Sequence, residues 1–232
     1  TGAIVVGGTL IVKRIKGVRR PALGSMIPSL GGKPYLLMDM GANAECRPEM
    51  LCQFGVMASV YDECVAGVEN PKVGLLNIGT EDTKGDTLRR EAYALLKSAP
   101  INFIGNIESR EMPKGCCDAV ITDGFTGNIA LKLMEGTLLT TFKMLKGVFM
   151  SKALNKVAAL LLKKDFYSMK SQLNSSAIGG APLLGVKKPV IKAHGSSDAV
   201  AIKNAVKQAM LTAENNVCGI IEKKLAEMGD IE

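Results

Sequence analysis

The sequence predicts an α/β protein built on a layered, mostly parallel sheet flanked by helices, and three observations carry that expectation. Short apolar runs alternate with longer segments whose apolar residues recur at spacings of three and four. Each run gives way to a loop rich in glycine, asparagine, aspartate or serine. The chain has 232 residues, 47% of them hydrophobic, enough to bury a substantial core as one large domain or two closely joined ones.

The strands expected in order are Tyr35 to Met40, Val73 to Ile78, Ile101 to Ile104, Ala119 to Thr122 and Val190 to Lys192. After the first comes a helix whose face is formed by Met50, Phe54, Met57, Tyr61, Cys64, Val65 and Val68, with Pro48 suited to its first turn. A second helix runs from about Asp86 to Lys97, and a third from Gly127 through Leu145. The last is expected from Asp198 to about Met228, where Ile202, Val206, Met210, Val217, Ile221 and Leu225 recur at helical spacing. Ser196, Ser197 and Asp198 each offer it an N-cap. There is no internal repeat.

Composition narrows the partners. The formal charge of +7 favours something anionic, whether nucleic acid, anionic lipid, an acidic carrier protein or phosphate. Aromatic content of 4% without tryptophan weighs against a stacking platform for single strands. The six cysteines lack a C-x-x-C spacing and there is one histidine, so no zinc set is recognisable and a reducing compartment is expected. No apolar run reaches the roughly 18 residues of a membrane span. In the opening TGAIVVGGTLIVKRIKGVRR the basic residues follow the apolar stretch, the reverse of a secretion signal, and the absent initiator methionine reads as a cut inside a longer protein.

Five loops hold the candidate chemistry: DMGAN (Asp39 to Asn43), NIGTEDTKG (Asn77 to Gly85), IGNIESRE (Ile104 to Glu111), TDGFTGNIALK (Thr122 to Lys132) and HGSSD (His194 to Asp198). Ligands of open α/β sheets sit beyond the carboxyl ends of strands, so these loops predict one shared site. Small, glycine-rich loops let backbone N–H groups approach an anion. Neither a G-x-G-x-x-G nor a P-loop is present, which favours a small anion or an acyl thioester over NAD or ATP. His194 is followed by Gly195, Ser196 and Ser197, but no histidine comes after the serine, as a hydrolase triad of the elbow type requires.

The segments RIKGVRRPAL, DMGAN, ENPKVGLLNIGTEDTKG, APINFIGNIE, TDGFTGNIALK, GGAPLLGV and VIKAHGSSDAVAIKNAV cover nearly the whole chain. Together they resemble the PlsX family of phosphate acyltransferases. The resemblance implies conversion of acyl-[acyl carrier protein] and inorganic phosphate to acyl phosphate in bacterial phospholipid synthesis, without a cofactor. It also implies a homodimer with the fold of phosphotransacetylases and of the isocitrate and isopropylmalate dehydrogenases. Family members usually run about a hundred residues longer at the N-terminus, and Thr1-Gly2-Ala3 resembles the tail of the family's S-x-G-x-T-G-A segment. Ile178 stands where a tyrosine often precedes GGAPLLG. Two alternatives remain: an NAD- and metal-dependent dehydrogenase, whose arginine cluster and paired aspartates these loops do not assemble, and an inactive truncated domain that dimerises or binds membrane.

Acyl transfer to phosphate needs the anion held against the carbonyl, donors for the developing oxyanion and an exit for the thiolate. Lys84 is expected to orient or neutralise phosphate, and the resemblance points to the same lysine; its other reading is a solvated loop lysine. Asn128 either donates to the oxyanion or phosphate or caps a helix. Asn43, Thr126, Gly127, Ser196 and Ser197 are candidate anion contacts or turn formers. His194 is a proton source for the thiolate or a histidine bonded within its turn. Cys116 and Cys117 precede a strand instead of ending one, against an acyl-cysteine route.

From Lys143 to Lys170 seven lysines stand against Asp165. Phe149, Met150, Leu154, Leu161 and Leu162 add an apolar component at helical spacing. Such a segment suits a membrane interface with anionic headgroups, or a dimer-forming helix pair with a solvated lysine face. The resemblance implies a helical hairpin at about residues 143–173 that associates peripherally with the membrane, in a cytoplasmic protein.

Overall fold

The run Tyr35–Met38 is buried at every position, and it forms strand β2 of a seven-stranded sheet. A computed structural model describes residues 1–172, 179–195 and 197–229. Strands β1 (Ala22–Ile27), β2, β3 (Lys72–Asn77), β4 (Asn102–Glu108), β5 (Ala119–Ile121), β6 (Ala181–Leu184) and β7 (Ile191–Lys192) lie in the order β4-β3-β5-β2-β1-β6-β7. The four strands β4, β3, β5 and β2 run parallel, with Leu36 beside Ala119 and Val73 beside both Ala119 and Phe103. Strands β1, β6 and β7 add an antiparallel wing.

The expected strands fall within two residues of the observed ones, except that β4 runs on to Glu108. Its register against β3 slips between Val73 and Gly74, leaving Ile104 as an extra residue. A bulge of this kind interrupts the apolar pattern without ending the strand.

Helix α1 (Gly2–Gly7) continues through a π-helical stretch, Gly8–Lys13, that seals the antiparallel wing. Helix α2 (Pro48–Tyr61) starts on Pro48 and is buried at every residue from Met50 to Tyr61, not on one face alone. The sheet covers one side of it. The other sides are covered by α3 (Thr87–Ser98) and α8 (Val217–Met228). Burying a side chain the size of Phe54, Leu51 or Met57 contributes about 1.5–3 kcal/mol each, so this helix anchors the sheet.

Three helices start on an aspartate whose carboxylate accepts a first-turn N–H. Asp86 takes Arg89 N at the head of α3, and Asp123 takes Thr126 N at the head of α4 (Gly124–Met150). Asp198 takes Ala201 N at the head of α7 (Ala199–Glu214), so of the three cap candidates there the aspartate serves. The expected helix from Asp198 to Met228 is two: Asn216 adopts a left-handed conformation, φ 48° and ψ 39°, and separates α7 from α8. Asparagine tolerates that conformation better than most residues.

Helix α4 is longer than expected at both ends. Its first turns lie against the sheet beside β2. Beyond Leu138 it projects and is followed by α5 (Ala153–Leu161) and α6 (Lys163–Gln172). The hairpin therefore begins inside α4. Its turn is held by the Asn155 amide, which donates to Val148 O and Ser151 Oγ at 2.9 Å, and Phe149 meets Phe166 edge to face at 4.9 Å.

A candidate active site at the carboxyl ends of the parallel strands

Asp39 leaves β2 fully buried, and the loop after it folds around its carboxylate. That group accepts the backbone N–H of Leu23, Gly41, Ala42 and Asn43 at 2.7 to 3.2 Å, and the Asn43 amide at 2.9 Å. Burial pushes its pKa up, while the bonds from Ala42, Asn43 and Leu23 pull it down. Asn43 gives its second amide hydrogen to Pro21 O at 2.8 Å. Both its donors are engaged inside the protein, which makes Asn43 a loop former.

The start of α4 docks on this loop. Gly124 N donates to Asn43 O at 2.7 Å, and Gly127 sits so close to the Asp39 carbonyl that any side-chain carbon there would collide with it. Gly41, at φ 126°, lies beneath Asn128: a Cβ at Gly41 would fall 2.8 Å from Asn128 Nδ2. Two positions that exclude side chains thus bring a helix N-terminus and a carboxamide onto one loop. The Thr126 hydroxyl donates to Asp123 Oδ2, and Gly127 N donates to Asp123 O. Asn128 is half-buried, and its amide enters no hydrogen bond among the described residues.

Lys84 comes from the neighbouring parallel strand. Asn77, at the end of β3, donates through Nδ2 to Lys84 O at 3.0 Å and accepts Ile78 N at 2.8 Å through Oδ1. Asn106 of β4 holds Glu81 O at 2.7 Å, and Lys84 N closes the turn on Glu81 O. The turn is fixed while the Lys84 side chain is exposed and enters no ion pair among the described residues.

Arg89 joins the two halves, and sequence reasoning missed it. Its side chain is only 14% exposed; it donates to Asp86 Oδ2 at 2.7 Å, to Thr126 Oγ1 at 3.0 Å and to Asp123 Oδ2. It therefore ties the residues after Lys84 to those before Asn128. The signal available was Asp86-x-x-Arg89 directly after the TKG turn, a pattern shared with any capped, charged helix start.

The HGSSD loop arrives differently. Strand β7 runs against the parallel strands, so this loop leaves the sheet toward their other end. His194 and Ser197 line a cavity of about 310 Å³ with Met40, Leu131, Glu135 and Lys192. Ser197 N donates to His194 O at 3.0 Å. Ser196 and Ile178 lie outside the described residues.

In the hairpin, Phe149 is half-buried, whereas Met150, Leu154, Leu161 and Leu162 are exposed. All six cysteines are free. Cys117 is buried, which pushes its thiol pKa up and makes it a poor nucleophile. Among the described residues no three His, Cys, Asp or Glu side chains gather as a metal site, and no helix is long and apolar enough to cross a membrane.

Among the described residues, the carboxyl ends bring together an exposed lysine outside any ion pair and a carboxamide without a hydrogen bond, on a glycine-lined floor. That set suits an oxyanion beside a carbonyl.

Residues 1–220 match the family described as "Fatty acid synthesis protein". The chain is 49% identical over 232 residues to the phosphate acyltransferase of Oceanobacillus iheyensis, spanning all of this chain and 70% of that protein. It is 47% identical over 228 residues to the phosphate acyltransferase of Bacillus subtilis, spanning 98% of this chain and 68% of that one. Among solved structures it is similar to a phosphotransacetylase from Streptococcus pyogenes, at a TM-score of 0.58 and 18% identity over 90% of this chain and 59% of the other. A branched-chain phosphotransacylase from Enterococcus faecalis V583 gives 0.51 and 16% over 91% of this chain and 77% of the other. These two likenesses speak to the fold.

Proposed function

We propose that this chain, which belongs to the phosphate acyltransferase family of fatty acid synthesis, moves an acyl group from an acyl carrier protein thioester to inorganic phosphate at the Lys84 and Asn128 loops. A phosphate oxygen attacks the thioester carbonyl carbon, a tetrahedral oxyanion forms, and the C–S bond breaks to give acyl phosphate and the carrier thiol. Lys84 holds the phosphate and offsets its charge. The Asn128 amide donates to the oxyanion, and Arg89 is a positioning residue that keeps the two loops in register. The proton that the departing thiolate takes up is the one that hydrogen phosphate gives up on becoming the acyl phosphate.

The observation that carries this reading is the contrast in hydrogen bonding. Asn43, Thr126 and Gly127 have their donors engaged within the protein, whereas the side-chain donors of Lys84 and Asn128 enter no hydrogen bond or ion pair among the described residues. The test is phosphate-dependent release of free carrier from a palmitoyl-loaded acyl carrier protein. Lys84→Ala and Asn128→Ala should each lower kcat by about 10²–10³, the usual cost of one oxyanion donor. Release that ignores phosphate, or a Lys84→Ala variant as active as the parent, would sink the reading.

The protein works as a homodimer at an anionic membrane surface, the hairpin resting on it through Met150, Leu154, Leu161 and Leu162 among the lysines. Vesicles containing phosphatidylglycerol should bind it at low salt and release it as salt rises. Equal binding to neutral vesicles would remove the electrostatic part.

A further inference from the structure

The reaction produces a question of place: the thioester carbonyl must meet Asn128 while a long hydrocarbon tail stays out of water. Asn128, Leu131, Glu135 and Leu138 stand at i, i+3, i+7 and i+10 on α4, within one face of the helix. Two cavities follow that face. The first, the 310 Å³ space with His194 and Ser197, touches Met40, the neighbour of Gly41 beneath Asn128. The second, of about 420 Å³, shares Ile27, Leu131 and Glu135 with it and continues between α4 and the segments around Leu30 and Pro113. Apart from Glu135 and Thr137 its walls are leucine, isoleucine, methionine and proline side chains.

We propose that the second cavity binds the fatty acyl chain of the substrate, with the polar first cavity as the passage for its carboxyl end. The proposal rests on the acyl-transfer reading above and deepens it. Its volume lies in the usual range for small-molecule sites, about 300–1,000 Å³. Leu138 is ten residues beyond Asn128, about 15 Å along the helix, so the tail runs down the same helix whose first turn holds the carbonyl. Each methylene taken from water strengthens binding, which lets the cavity select for chain length. An interface with a second copy has no need to begin at the reacting loops; an acyl site does.

Two variants that fill the cavity test this. Leu138→Trp narrows its far end, and Leu30→Trp narrows its rim at a residue 78% exposed, where folding is not at stake. The expected result is a kcat/KM for palmitoyl carrier lowered about tenfold or more in both, with butyryl carrier held within about twofold. The fluorescent fatty acid cis-parinaric acid should bind the parent, be displaced by palmitate, and bind neither variant. The idea is overturned if the palmitoyl-to-butyryl ratio is unchanged in Leu30→Trp, or if the variants change only the sedimentation of the protein, which would make the groove an interface between copies. A parent that releases no carrier on addition of phosphate sinks the acyl-transfer reading instead, and cis-parinaric acid binding then decides the cavity by itself.

Discussion

Two apolar helices in this chain have opposite surroundings. Helix α2 is buried at every residue from Met50 to Tyr61, enclosed by the sheet, α3 and α8, whereas α5 has no buried residue at all. Both are rich in aliphatic side chains, and α5 leaves Leu154 and Leu161 nearly four-fifths exposed. Apolar content dictates that a face must be covered and is silent about what covers it. The body of the protein covers α2 from within. The hairpin leaves its own apolar side chains exposed.

The largest effect expected from this contrast is on stability. Phe54→Ala should cost about 3–5 kcal/mol in chemical denaturation, because the enclosed site cannot collapse onto the gap, while Leu161→Ala should stay within about 0.5 kcal/mol. A similar loss in both would mean that the hairpin is part of the core.

The next is a pH effect confined to the body. Asp62, at the end of α2, is 1% exposed and neither of its carboxylate oxygens has a partner. Burial, then the nearby Asp118 and Glu63, push its pKa up to about 8; Glu63 itself pairs with Lys224 of α8 at 3.1 Å. Folded protein therefore binds a proton that the unfolded chain releases above about pH 4, so stability is full below that pH and declines as pH rises through 8. Asp62→Asn should be a few kcal/mol more stable than the parent at pH 9 and equal to it at pH 4, with about 1.4 kcal/mol per pH unit as the ceiling. Parallel stability curves for the two proteins would refute it.

A smaller effect tests the site without touching either helix. Arg89→Lys keeps the charge but loses the fork that reaches Asp86, Asp123 and Thr126 together, and should lower kcat about 10- to 100-fold with KM for phosphate nearly constant. An effect seen only in thermal stability would reduce Arg89 to a structural link. The smallest lies on the hairpin: Lys163→Gln with Lys164→Gln should weaken vesicle binding by about 1 kcal/mol per lysine while leaving carrier release from a soluble substrate unchanged.

Much of the body was legible because its signals are local. YLLM, KVGLLN and AVI are apolar runs that end in aspartate or asparagine loops, and those loops are where the candidate site lies. ALGSMI and APLL escaped notice, since glycine, serine and proline break their apolar pattern, yet β1 and β6 join the two halves of the sheet. The direction of β7 is a property of pairing, not of composition, and so the HGSSD loop was expected beside DMGAN. Arg89 was illegible for a similar reason: its partners Asp123 and Thr126 lie 34 and 37 residues away.

Helix α4 carries Asn128 in its first turns and ends at Met150, in the hairpin. Those 22 residues of uninterrupted helix measure about 33 Å, close to the diameter of a small domain. A helix of that kind is a spacer. The distance between Asn128 and the tip of the hairpin is therefore set by backbone hydrogen bonds and not by a loop, so the two ends of α4 move as one body.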